Sequence, residues 1–138
     1  MISFLNENKE TLTGIFGIML FLIFLLLLFV SYVFNKDAYK EIVFLYEKKF
    51  GRLPLSAGMA KHASLIATPS SYGAKIGFIM GSLIFPYNRV TNHDMSIEAY
   101  HFIRSLPSNL TLGFRIEAAL WVVSVLIFIF LVYLQKFI

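Results

Sequence analysis

The 138-residue chain is one domain's worth of protein, yet 58% of it is hydrophobic, 17% aromatic and only 14% charged. Soluble globular chains hold roughly 45–50% apolar and about 25% charged residues, and a fold this small cannot hide such an excess from water. A soluble domain is excluded on that ground. So, with no cysteine in the chain, are a disulfide framework, a thiolate nucleophile and a cysteine-ligated zinc.

The first 13 residues read as a short tail outside the membrane, MISFLNENKE followed by TLT. Residues 14–34 follow without a single charge, centred on FLIFLLLLFV. At about 1.5 Å per residue such a run matches the hydrocarbon core of a bilayer, where an isolated segment must satisfy its own backbone as a helix. It is not expected to be a cleaved signal peptide. The leading segment has no positive cluster, and SYVFNKD offers no small-residue cleavage site.

Residues 35–117 form a polar middle section divided by four prolines. Tyr39, Ile42, Val43, Tyr46 and Phe50 recur at helical spacing, so the first helix is predicted to continue and stop at Gly51, before Pro54. Ser56 is expected to cap a short helix, AGMAKHASLIA, ending before Thr68-Pro69. Ser70 or Ser71 is expected to cap another ending before Pro86, with an apolar stripe of Ile76, Ile79, Met80 and Leu83. Asp94 is expected to cap a last helix through Leu106, with Met95, Ala99, Phe102 and Leu106 on one face. A further helix begins at Ser108 and carries the second apolar run, residues 118–135, leaving 136–138 as an outside tail. The fold class is therefore an all-α membrane protein: two antiparallel transmembrane helices and a helical cytoplasmic middle.

Orientation comes from the Lys and Arg count. Lys36, Lys40, Lys48, Lys49, Arg52, Arg104 and Arg115 flank the spans on the middle-section side, against Lys9 and Lys136 on the other. The positive-inside rule places the middle in the cytoplasm and both termini outside. Tyr32 and Trp121 would mark the inner interface and Tyr133 the outer one. The net charge of +4 is explained by this placement, and nucleic acid is not expected as a partner.

Gly73, Gly77 and Gly81 fall four apart on one helical stripe, a face on which two backbones can approach closely. Packing within the chain is the favoured reading, and packing on a partner the alternative. The basic cluster Lys36, Lys40, Lys48, Lys49 and Arg52 can hold anionic lipid headgroups, at about 1 kcal/mol per residue near the surface. His93, Asp94, Glu98 and His101 lie at spacings that can hold a metal, with Ser105 one turn on. A wet polar face is the commoner outcome for such a set, and His62 reads as a surface histidine. No GxSxG turn or phosphate-cradling glycine loop is present, and neither span contains a charged residue or histidine. The Asn109-Leu110-Thr111 sequon would lie on the cytoplasmic side, where it goes unused.

Three stretches, FLYEKKFGRLPL, TPSSYGAKIGFIM and YNRVTNHDMSIEAYHFIRS, make the layout resemble the bacterial universal stress protein B group of small two-span inner-membrane proteins. The nearest positions are Tyr87, His93, Asp94, Phe102 and Arg104, while that group's cysteine before the final span and its denser arginines are missing here. The resemblance implies an inner-membrane location and no activity to carry over.

The expectation is a non-enzymatic inner-membrane protein without cofactor or resident metal. Its partners would be membrane lipid and either another membrane protein, as an accessory, regulatory or stress-response component, or a second copy of itself. The alternative is an immunity or exclusion protein that guards its cell against a membrane-acting toxin or phage.

Overall fold

The computed structural model describes all 138 residues as helices joined by turns, with no strand. In chain order they are α1 (Ile2–Glu7), α2 (Lys9–Phe29), a π-helical turn (Val30–Phe34), α3 (Asn35–Phe50), α4 (Leu55–Met59), α5 (Pro69–Ile84), α6 (Ile97–Ser105) and α7 (Ser108–Phe137). Two compact units result. One comprises Met1–Phe29 with Ala119–Ile138, and the other is the body, Val30–Ala118.

Two helical stretches, Lys9–Phe50 and Ser108–Phe137, are long and apolar enough to cross a membrane. Uninterrupted leucine, isoleucine and phenylalanine without proline give the backbone no reason to leave the helix. Only 11% and 17% of their most apolar windows is buried by the rest of the protein. A core helix of a soluble protein would be mostly covered, so these windows face whatever surrounds the chain. Where α2 and α7 touch, Phe16 and Phe130 meet edge-on at 4.9 Å. Gln135 Nε2 donates to Thr13 Oγ1 at 3.2 Å.

The body is built differently. Tyr39, Ile42, Val43 and Tyr46 of α3 are buried on one stripe, as their spacing predicts. The helix stops at Gly51, whose φ of 84° needs no Cβ to be accommodated. Its N–H closes on Glu47 O at 2.7 Å. Ile76 and Ile79 of α5, Ile103 of α6 and Phe114 of α7 complete the centre with almost no exposure. Each such side chain contributes roughly 1.5–3 kcal/mol by leaving water. Tyr46 joins α3 to α5 and α6 through edge contacts with Phe78 and Phe102 at 5.5 and 6.2 Å, and meets Phe50 of its own helix at a tilt at 4.9 Å.

Three of the expected caps are placed otherwise. The helix expected after Ser56 is only α4, Leu55–Met59, because the hydroxyls that follow it engage nearby backbone. Ser64 N donates to Thr68 Oγ1 at 2.9 Å and Ala67 N to Ser64 Oγ at 3.1 Å, a local alternative to helical pairing. Helix α5 starts at Pro69 rather than after Ser70 or Ser71, since proline's fixed φ suits the first helical position. Ser96, not Asp94, caps α6 by accepting from Ala99 N. Asp94 instead accepts from Ser56 N at 3.1 Å and Ser56 Oγ at 2.6 Å, pinning α4 to the approach of α6.

Candidate functional site

A carboxylate sits in the centre of the body. Glu117 of α7 is fully buried in a stripe with Thr111, Phe114 and Ala118. A buried carboxylate requires donors in place of water. Tyr72 OH of α5 donates to Glu117 Oε1 at 2.6 Å, and Asn35 Nδ2 of α3 donates to Oε2 at 2.6 Å. Because the Tyr72 proton goes to Glu117, Ser31 Oγ in the π turn is the donor in the 2.6 Å contact with Tyr72 OH. One acid thus ties the π turn, α3, α5 and α7. Burial first, then the charge and hydrogen bond of Glu117, hold the Tyr72 hydroxyl well above its ordinary pKa, so it stays protonated and donating. Gly113, one turn before Glu117, makes the arrangement possible: a Cβ there would overlap Asn35 Oδ1. The Oδ1 atom itself has no hydrogen-bond partner.

Beside this network the body holds a cavity of about 430 Å³ whose lining all comes from residues 31–114. Its charged lining is cationic: Lys36 and Lys40 from α3, Lys61 from the turn after α4, and Lys75 from α5, with His62 also on the wall. No aspartate or glutamate lines it. Lys61 is partly engaged by Glu47 at 3.4 Å. Lys75 Nζ donates to Ala63 O at 2.9 Å and lies 4.6 Å from the centre of the Tyr39 ring. Burial pulls the Lys75 pKa below its ordinary value. Tyr39 is 9% exposed, lines the cavity, and has a hydroxyl with no hydrogen-bond partner. Burial, with the charge of Glu47 added, pushes that hydroxyl up to about 12.

The residues singled out in the sequence are scattered by comparison. Of the basic cluster, Lys36 and Lys40 line the cavity, whereas Lys48, Lys49 and Arg52 lie on the exposed surface. Lys49 is drawn instead over the rings of Phe102 and Phe50, at 4.9 and 5.6 Å. A Cβ on Gly73 or Gly77 would meet nothing within 4 Å, so those two glycines pack on no other helix of the chain. Only Gly81 is close-packed, its Cβ position 3.3 Å from Thr91 Cβ.

The candidate metal set does not converge. His93 Nε2 is 3.8 Å from Asp94 Oδ2, while Glu98 and His101 are exposed. No group of three or more His, Cys, Asp or Glu side chains is arranged to hold a metal ion. Asp94 is held below the usual carboxylate range. Burial acts in the opposite direction, and the two Ser56 hydrogen bonds together with His93 outweigh it. Ser105 Oγ is turned back on Phe102 O at 2.8 Å.

Sequence reasoning passed over Glu117, Asn35, Ser31, Tyr72 and Gly113. The signal was available in α7, where Thr111, Phe114, Glu117 and Ala118 fall at helical spacing on one side. Glutamate is seldom fully buried unless paired, and the partners that allow it here, Tyr72 and Asn35, come from distant parts of the sequence. No protein-family model, no curated protein and no solved structure matches this chain.

Proposed function

We propose that the chain is a non-enzymatic membrane protein of the bacterial inner membrane that acts by binding. Its two apolar helices are antiparallel spans, and the body is an interaction module on the cytoplasmic side. In this role it is an accessory or regulatory partner of another membrane protein or envelope component. The observation that carries the reading is the bareness of the two apolar helices, with 11% and 17% of their windows buried. The pairing of early α2 residues with late α7 residues, Phe16 with Phe130 and Thr13 with Gln135, is the kind antiparallel spans make. The lysines and arginines bordering the body support a cytoplasmic placement.

The open face of α5 at Gly73 and Gly77 is where a partner helix would be received, since small residues let backbones close together. Two measurements test the reading. The chain is expected to stay with vesicles through alkaline carbonate extraction, and reporters on both ends are expected outside the cytosol. In mild detergent a stoichiometric partner or a homo-oligomer should co-purify, and Gly77→Leu should release it. Release of the chain into the carbonate supernatant would reject the membrane reading, and an unchanged pull-down with Gly77→Leu would reject the α5 face.

A further inference from the structure

We propose that the cavity in the body is a binding site for a phosphate-type oxyanion, held by Lys36, Lys40 and Lys75 and by the buried hydroxyl of Tyr39. Four observations converge on it. The cavity's volume, about 430 Å³, falls within the range of small-ligand sites. Every charged side chain on its wall is a lysine, and of these only Lys61 is paired with a carboxylate, that of Glu47.

Lys75 is desolvated and lacks a carboxylate partner. Its one hydrogen bond goes to the Ala63 carbonyl, which leaves donors of the ammonium free. Lastly, Tyr39 lines the cavity, is nine-tenths buried, and has a hydroxyl with nothing to receive its proton. Buried hydroxyls without partners are uncommon, because each forfeits a hydrogen bond made in water. A ligand oxygen beside Tyr39 and Lys75 would satisfy both groups at once. Glu117 does not oppose this, since its oxygens are taken by Tyr72 and Asn35 and it does not line the cavity.

The same chemistry is offered by free phosphate and by a phospholipid headgroup. The inference stands on the cavity alone. It does not depend on the α5 face or on the carbonate result, so its failure is separable from theirs.

The experiment uses the full chain in two settings. In an uncharged detergent, its thermal unfolding is followed against inorganic phosphate, with chloride at matched ionic strength as control. In discs of zwitterionic lipid containing a minor fraction of anionic phospholipid, lipid retained through purification is weighed by native mass spectrometry. Stabilisation by phosphate beyond chloride supports the site with a free ligand; retained anionic lipid without a phosphate effect supports it with a headgroup. In either setting Lys40→Gln with Lys75→Gln is expected to weaken binding by about ten-fold or more, as loss of charge-assisted hydrogen bonds does.

Tyr39→Phe, which keeps the ring and removes only the hydroxyl, is expected to weaken it several-fold, and Lys48→Gln to leave it unchanged. If Lys75→Gln impairs folding, Lys40→Gln with Tyr39→Phe carries the comparison. Equal phosphate response and equal lipid retention across wild type and cavity variants would overturn the proposal. So would the absence of both.

Discussion

The two units of this chain are stabilised by opposite arrangements of the same kind of helix. In the pair formed by Met1–Phe29 and Ala119–Ile138, large apolar side chains point outward and few are covered; Phe21 and Leu126 are both 61% exposed. In Val30–Ala118 the apolar residues point inward, and a carboxylate bonded to Asn35 and Tyr72 sits among them. Helical backbone alone says nothing about environment. The side on which the apolar residues lie, and whether anything covers it, decides whether a helix belongs in lipid or in a core.

The contrast can be broken most severely at Glu117. Glu117→Ala leaves Asn35 Nδ2 buried without an acceptor, turns the Tyr72 hydroxyl back on Ser31 Oγ and opens a gap in the body, and is expected to cost about 3 kcal/mol or more of body stability. Near-UV circular dichroism of the body's tyrosines during denaturant unfolding would measure it. Gly113→Ala forces a Cβ into Asn35, whose short side chain has little room to yield. A loss of about 1–3 kcal/mol is expected by the same measurement. A loss below about 0.5 kcal/mol for either variant would mean the buried network does not hold the body together.

Acid provides a third probe. Asp94 has its folded pKa below its ordinary value of 3.8. Its contribution is therefore complete above that ordinary value and is lost as pH falls through the lower folded pKa. Acid unfolding of the wild type should steepen in that window below pH 3.8, and Asp94→Asn should remove the added steepness. The smallest effects are expected at open positions. Gly77→Ala adds a Cβ in empty space and should raise stability by up to about 1 kcal/mol, through helix propensity. Leu126→Ala, on the uncovered side of α7, should leave the unfolding of the body within about 0.5 kcal/mol of wild type.

Much of the architecture was legible in the sequence because it depends on periodicity and length. The α3 stripe, the stop at Gly51 and the start of α7 at Ser108 follow from local pattern. The caps were harder to read. Asp94 and Ser56 are each good cap residues, yet they bond to one another across 38 positions of sequence, and a tertiary hydrogen bond prevailed over a local one. The α5 glycines looked like an internal packing face, but whether a helix lies against Gly73 and Gly77 depends on tertiary placement that spacing does not encode.

The site was the least legible part. Lys36 and Lys40 stood out as charges near a span, but Lys75 and Tyr39 join them only once α5 packs against α3. Glu117 borders the second apolar run in sequence, while its helical neighbours Thr111 and Phe114 face inward with it.

The central proposal is that the apolar stretches of α2 and α7 lie in lipid while the body stands in water, and the absence of cysteine allows it to be tested directly. Single substitutions Leu126→Cys and Val90→Cys place a thiol on exposed positions of the two units, 61% and 84% exposed. With a membrane-impermeant maleimide, Val90→Cys should be labelled only after the inner membrane is opened, and Leu126→Cys should resist labelling until detergent is added. Labelling of Leu126→Cys as fast as Val90→Cys in intact membranes would contradict the account.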